Sequence, residues 1–419
     1  MLLNIDRARK VMAERGLDAL VASSQENITY STGYVSWTID TFRDLEVYGV
    51  IPREGPVAII IPVDAVDHLA QRPIDASLVY TYGTFPTVWE RHVPLIGAEA
   101  NLIEIRENAK HYSSGKVALA QALEDLHVGE AIGIDERGMS PARYRTLSSA
   151  LVGRRISEAS EDFRYIRLVK TEDEVDRLRF VARAVEQAML ISFQRIDVGV
   201  TEAELEMTFR QAVIARGILP WHFDTTGGTR GSASFPASDY QLKLGDVIRS
   251  DVSGRYRGYW CDTGRTAVLG PPPEKLGRYY EAIKAGIAAI MDVTKPGVPV
   301  SELFRAGVET VRQSGIPHYQ RHHVGHGIGA EFYEAPMLTG VGETSAIHEK
   351  GRSDTILEPG MVINIELPYY ELGVGGLQIE DTLVIRPGGF EMLTIAGRDL
   401  YSLSTNIPVH CAGQSSPDA

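Results

Sequence analysis

The pattern of apolar and polar residues divides the chain into two unlike halves. "IDRARKVMAERG" (5–16) carries its apolar residues at helical spacing and ends on a glycine, which predicts a helix stopped at Gly16. "DALVASS" and "GVIPREGPVAIIIP" are apolar runs of strand length, and the Gly-Pro pair in the second predicts a turn between two strands. "SPARYRTLSSAL" predicts a helix opened by Ser140. This alternation points to a small α/β domain over residues 1–160. "RLVKTEDEVDRLRFVARAVEQAMLISF" then begins a long helix, with Thr171 and Glu174 spaced as a capping box. The boundary falls near 155–170, and a second domain is expected over 161–410.

That second half repeats itself. "IDVGVTEAELEMTFRQAVIARGILP" (196–220) matches "VTKPGVPVSELFRAGVETVRQSGIP" (293–317) at an offset of 98. Gly199 falls on Gly297, Glu204 on Glu302, Leu205 on Leu303, Val213 on Val311 and Gly217 on Gly315. Two copies are too few for a solenoid. They predict one pseudo-symmetric domain, each half a helix followed by strands.

A strand–turn–strand pattern follows each copy. In "GDVIRSDVSGRYRGYWCDTGRT" (245–266), Asp251 and Asp262 are expected to face each other across a hairpin turning between Gly254 and Gly258. In "GMVINIELPYYELGVGGLQIEDTLVI" (360–385), Glu366 interrupts an apolar strand and Glu380 lies fourteen residues on. A buried, unpaired carboxylate is costly, and pseudo-symmetry brings the two acid pairs together. Divalent cations would resolve the repulsion, with a histidine completing the set. The stretch "HHVGHGIGAEFYEAP" (322–336) supplies one. His326 is the candidate, because its flanking glycines let the backbone approach closely.

Composition narrows the class. Of 419 residues, 44% are hydrophobic and 23% charged, as in ordinary globular chains. The net charge of −13 argues against non-specific binding to nucleic acid or anionic membrane. Two cysteines, Cys261 and Cys411, provide no disulfide framework, which suits a reducing cytoplasm. The N-terminus lacks the apolar core of a signal peptide, and no apolar run reaches the length of a membrane span.

The acidic and histidine motifs resemble those of the M24 "pita-bread" metallopeptidases, which include methionine aminopeptidase, aminopeptidase P, prolidase (Xaa-Pro dipeptidase) and the related creatinase. "DVSG" at Asp251, "DTGRT" at Asp262, "GHGIG" at His326, "NIELP" at Glu366 and "QIEDT" at Glu380 carry the resemblance. "GLDALVASSQENITYSTGY" is similar to the creatinase/prolidase N-terminal domain, and "RLVKTEDEVDRLR" to its junction with the catalytic domain. The resemblance implies an α+β fold, a pita-bread catalytic domain preceded by the smaller α/β domain. It also implies two divalent ions per chain, of manganese, cobalt, zinc or iron. Asp262 and Glu380 would bridge them, Asp251 would complete one shell, and His326 and Glu366 would bind the other ion. Glu366 would also shuttle a proton. Creatinase lacks this ligand set, so a metal-free mechanism is not expected.

The chain departs from the peptidase pattern around that centre. The family's second histidine is replaced by Tyr333, and the histidine before the "GD" aspartate by Ser234 or Phe235. The frequent arginine two residues before the last glutamate is replaced by Gln378. His322 is the first candidate to serve catalysis in their place. His222 and Tyr333 are candidates for binding substrate, whereas His323 is expected to point away from the site if the run is extended. Creatinase-like dimers close each site with the partner's N-terminal domain, which makes Arg43 a candidate to meet a substrate carboxylate. The leading expectation is a dinuclear hydrolase cleaving an amide bond in an Xaa-Pro dipeptide or peptide, cytoplasmic and homodimeric. A non-peptidase enzyme on the same centre comes second: a hydrolase of a small cyclic amide or amidino compound, or a C–S lyase. A metal-binding protein without catalysis comes third.

Overall fold

The computed structural model describes residues 2–42, 45–340 and 354–403. The N-terminal half is built on a seven-stranded sheet in the spatial order Lys110–Tyr112, Val79–Tyr82, Ala58–Pro62, Tyr48–Pro52, Ala19–Ala22, Ala131–Ile134 and Arg155–Glu158. Its central strands are buried on both faces, so they read as continuous apolar runs instead of alternating ones. The first helix is Ile5–Arg15, and Gly16 ends it in the left-handed conformation. Ser140 caps Pro141–Ala150 by accepting the Arg143 amide. Thr171 and Glu174 form the reciprocal capping box that opens Glu172–Phe193.

The second half is a ten-stranded sheet among the described residues. Its main path runs Glu334–Met337, Gly325–Gly327, Val362–Glu366, Glu380–Arg386, Tyr259–Leu269, Val247–Tyr256 and Leu219–Phe223, antiparallel throughout. Helices Glu172–Phe193 and Glu202–Ile214 pack together, the first against the Val247–Tyr256 and Tyr259–Leu269 hairpin. Helices Glu274–Val293 and Val300–Gln313 form the other pair, with the first touching Val362–Glu366. The repeat is visible in three dimensions. Helices Glu202–Ile214 and Val300–Gln313 start 98 residues apart, and the matched Gly199 and Gly297 both have left-handed φ, 85° and 88°.

The hairpin turns at the far end of the expected Gly254–Gly258 span. Tyr256 pairs with Tyr259, so the chain reverses through Arg257 and Gly258, both at positive φ, as a two-residue primed turn requires. Gly254 lies inside the strand. A Cβ there would stand 2.8 Å from Ile218 and 2.9 Å from Val185, so this glycine serves close packing and not the turn.

Candidate metal centre

The two hairpins deliver their acids to one place. Asp251 pairs with Gly264, and Asp262 with Ser253, so the two aspartates are diagonal neighbours on one face and not directly opposed. Glu366 and Glu380 are directly opposed, and Glu380 also pairs with Gly264. Strand Gly325–Gly327 lies beside Val362–Glu366 and adds His326. The flanking glycine is obligatory there: a Cβ on Gly325 would fall 2.0 Å from the Asn364 carbonyl oxygen. Asn364 and Thr382 both donate to the backbone carbonyl of Asp262, at 3.0 and 3.2 Å, and fix that residue's position.

Donor atoms of Asp262, His326 and Glu380 all lie within 4.8 Å of one another, and so do those of His222, Asp251 and Asp262. Asp262 belongs to both groups. The His326 Nδ1 is 2.8 Å from the Gly327 carbonyl, a contact that assigns the proton to Nδ1 and leaves Nε2, 3.8 Å from Asp262, as the ligand atom. Glu380 accepts from the Gln378 amide at 2.8 Å. Glu366 stands beside both groups; its oxygens are 3.1 Å from His323 Nδ1 and 3.5 Å from Arg321 Nη2.

The electrostatics show an excess of negative charge. Burial, together with Glu380, Asp251 and Glu366, pushes the Asp262 carboxyl well above its ordinary range. Burial, with Asp251 and Glu366, does the same to Glu380. Glu366 is raised by burial despite Arg321. Asp251 alone of the four is lowered. Burial opposes ionisation, but His222 at 3.0 Å and Arg249 at 2.7 Å outweigh it. Asp262 Oδ1 is buried and accepts no hydrogen bond among the described residues. A buried carboxylate of this kind, with Oδ1 toward His222 and Oδ2 toward His326, is common to two donor sets of oxygens and imidazole and fits a divalent cation on each side.

The proposed site residues fall unevenly around this centre. His222 reaches it directly. Its Nδ1 meets Ser253 Oγ at 2.8 Å, and its Nε2 meets Asp251. His322 is exposed at the rim of the adjoining cavity, with its ring 4.2 Å from that of His323. His323 does not point away: it is buried, faces Glu366, and is kept neutral by burial and Arg321, which drive its pKa down to about 2. The alternation expected for an extended run fails because the strand begins only at Gly325. Tyr333 stacks on His326, with centroids 3.7 Å apart at 17°, and burial keeps its phenol protonated. Arg43 lies outside the described residues.

The cavity beside the acids has a volume of about 480 Å³, and Asp224, Ser234, Arg321, Tyr333 and Tyr370 are among its lining residues. Sequence reasoning missed Arg249 and Arg321. Arg249 carried a signal. It stands in the apolar strand "DVIRSDV", where a cation needs a partner as much as Glu366 does.

Residues 176–387 match metallopeptidase family M24, and residues 4–169 match the creatinase/prolidase N-terminal domain. An Xaa-Pro dipeptidase of Lactobacillus delbrueckii subsp. lactis is 26% identical over 412 residues, covering 96% of this chain and 99% of the relative. An Xaa-Pro dipeptidase of Pyrococcus furiosus is 29% identical over 238 residues, covering 56% and 65%. Among solved structures, an Xaa-Pro dipeptidase from Bacillus anthracis superposes with a TM-score of 0.73 at 21% identity, covering 95% of this chain and 99% of that one. An X-Pro aminopeptidase from Thermotoga maritima gives 0.71 at 21% identity, covering 96% and 99%. At these identities, the two structures establish a shared fold.

Proposed function

This chain belongs to metallopeptidase family M24, and from that premise we propose that it is a dinuclear hydrolase of Xaa-Pro dipeptides or short peptides. It is a metal-dependent hydrolase on a pita-bread fold. The observation that carries the finer reading is the Asp262 carboxylate, buried and common to two donor sets. Asp262 and Glu380 would bridge the ions, with Asp251 on one side and His326 and Glu366 on the other. His222 is a further candidate ligand beside Asp251. When bound, such ions would lower the pKa of the attacking water and polarise the scissile carbonyl.

The chain's own groups do the rest. Glu366, raised by burial, is suited to take the proton of the attacking water and pass it to the departing prolyl nitrogen. Tyr333, held protonated over the centre, offers a hydrogen bond to the oxygen on which charge develops. The relatives named above as Xaa-Pro dipeptidases support a peptide substrate over the other small amides and sulfur compounds that the fold admits.

Manganese, cobalt, zinc and iron all suit an oxygen and imidazole donor set without thiolate. A homodimer acting in the cytoplasm completes the proposal. Among the described residues, no helix is long and apolar enough to cross a membrane. The test is turnover of Ala-Pro and Gly-Pro against Ala-Ala after incubation with each metal, with elemental analysis of the protein. Cleavage of the prolyl dipeptides, abolished by chelator, is expected. Absence of bound metal, or cleavage that ignores the prolyl residue, would overturn the proposal.

A further inference from the structure

The family's frequent arginine before the last glutamate is Gln378 here, and its amide is engaged by Glu380. Position 378 thus offers no cation to a substrate carboxylate. Arg321 is placed to supply one. It follows helix Val300–Gln313 and precedes strand Gly325–Gly327, in a segment tied down by Arg312 Nε donating to the Tyr319 carbonyl at 2.8 Å and Tyr319 Oη donating to the Pro368 carbonyl at 3.0 Å. Its Nε donates to the His323 carbonyl at 3.2 Å, which orients the guanidinium.

The remaining donors of that guanidinium are the informative ones. Neither Nη makes a hydrogen bond among the described residues; Glu366, at 3.5 Å from Nη2, is the carboxylate in contact with it. The side chain is only 10% exposed, yet it lines both the 480 Å³ cavity and a neighbouring one of about 440 Å³ bordered by Tyr369 and Tyr370. Neither Nη is sealed from solvent, so both donors open toward the cavities and are available to an incoming carboxylate. Arg249 does not compete for this role. Its Nη2 is taken by Asp251 and Tyr370, and although its Nε and Nη1 have no hydrogen bond among the described residues, it is fully buried and borders neither cavity. The flat fork of a guanidinium matches a carboxylate with two parallel hydrogen bonds, which a lysine cannot reproduce.

Resting on the Xaa-Pro reading above, we propose that Arg321 is the specificity residue that anchors the substrate's free carboxylate, so that the site takes dipeptides in preference to longer or amidated chains. The proline end of the substrate then lies toward Tyr370, with the scissile carbonyl over the acid cluster.

The experiment uses the full, metal-loaded chain as wild type, Arg321→Gln and Arg321→Lys, with Ala-Pro and Ala-Pro-amide as substrates. Calorimetric binding of L-proline and L-prolinamide provides a readout independent of turnover. Wild type should favour the free acid. Arg321→Gln should raise KM for Ala-Pro about 10–100-fold, the range expected for losing hydrogen bonds to a charged group, with a smaller change in kcat. It should also remove the preference over the amide, weaken proline binding to match prolinamide, and leave metal content unchanged; Arg321→Lys should recover only part of the affinity. Equal loss of kcat on both substrates with the preference intact, or loss of metal, would assign Arg321 to holding Glu366 and overturn the proposal. If neither substrate is cleaved, the Xaa-Pro reading fails. Proline binding that depends on Arg321 would then still uphold the anchor, and binding indifferent to it, or absent in wild type, would reject it.

Discussion

Two buried clusters of charge lie at either end of the same fifteen-residue stretch. His326 enters the acid centre. Eight residues later, Glu334 enters a joint between the two halves of the molecule, where its oxygens meet Arg167 Nε at 3.1 Å and Lys170 Nζ at 2.7 Å. Arg167 also bonds Asn27 of the N-terminal half and Glu331, and Glu331 takes Arg164 at 2.5 Å. Both places bury carboxylates almost completely. At the joint, burial alone would raise the Glu334 pKa, yet Lys170 and Arg167 pull it down to about 2. At the centre, Asp262 and Glu380 move the opposite way. The joint carries its own counter-charge; the centre leaves part of the neutralisation to something the chain does not encode. An imbalance of that kind marks a functional site more clearly than burial or acidity does.

The largest expected effect lies at the centre. Glu366→Gln keeps the shape of the side chain and removes both the charge and the proton acceptor. Turnover should fall by at least about 10²–10⁴, the usual worth of a general acid–base group. The fold should be retained, as judged by an unchanged circular dichroism spectrum. Full turnover in this variant would reassign the proton transfer to another group.

At the joint the loss should be structural. Glu334→Gln leaves Arg167 and Lys170 buried beside a neutral amide, and breaking a buried pair of this kind costs about 3–5 kcal/mol. The sign with pH follows from the depressed pKa. The stabilising contribution of Glu334 is present above the ordinary carboxyl value of 4.5 and is lost as pH falls toward about 2. Urea titrations between these limits should show wild type losing stability on acidification, and Glu334→Gln should lack that component. A variant as stable as wild type at pH 7 would show that the joint contributes little.

Tyr333 sits between the two regions in sequence and over the centre in space. Tyr333→Phe preserves the stack on His326 and deletes one hydroxyl donor. If the phenol holds the developing negative charge, kcat should fall by a factor equivalent to about 3 kcal/mol, with metal content unchanged. An unaltered kcat would leave the ring with a packing role beside Phe332, whose centroid is 5.3 Å away.

These two clusters differed in how far the sequence revealed them. The acids and His326 were legible because a carboxylate in an apolar strand, or a histidine between glycines, is conspicuous wherever it occurs. The helix starts at Ser140 and Thr171 were legible because capping is local. The joint is not legible in the sequence, since pairing Asn27 with Arg167, or Lys170 with Glu334, depends on packing together segments 140 and 164 residues apart. For the same reason Arg321 went unnoticed: its value lies in facing two cavities, which no spacing reports. Strand alternation does not extend to His323, which precedes the strand and packs against Glu366.

The smallest expected effect inverts the usual outcome of a core substitution. In metal-free protein, Asp262 is buried against Glu380, Asp251 and Glu366, and its Oδ1 has no hydrogen bond among the described residues. Asp262→Asn removes one of four crowded carboxylates and supplies an amide that can donate to a neighbour. In chelator at pH 7, the variant should therefore be more stable than wild type, because the burial and like-charge crowding that raise the Asp262 carboxyl are relieved. Adding metal should reverse the order. Wild type gains stability by mass action as ions bind, while the variant, lacking the shared ligand, gains little. Thermal unfolding with and without metal checks both halves of the statement. If the variant is less stable than wild type even in chelator, the four acids are already neutralised within the protein, by protons or by Arg249 and Arg321, and the contrast with the joint disappears.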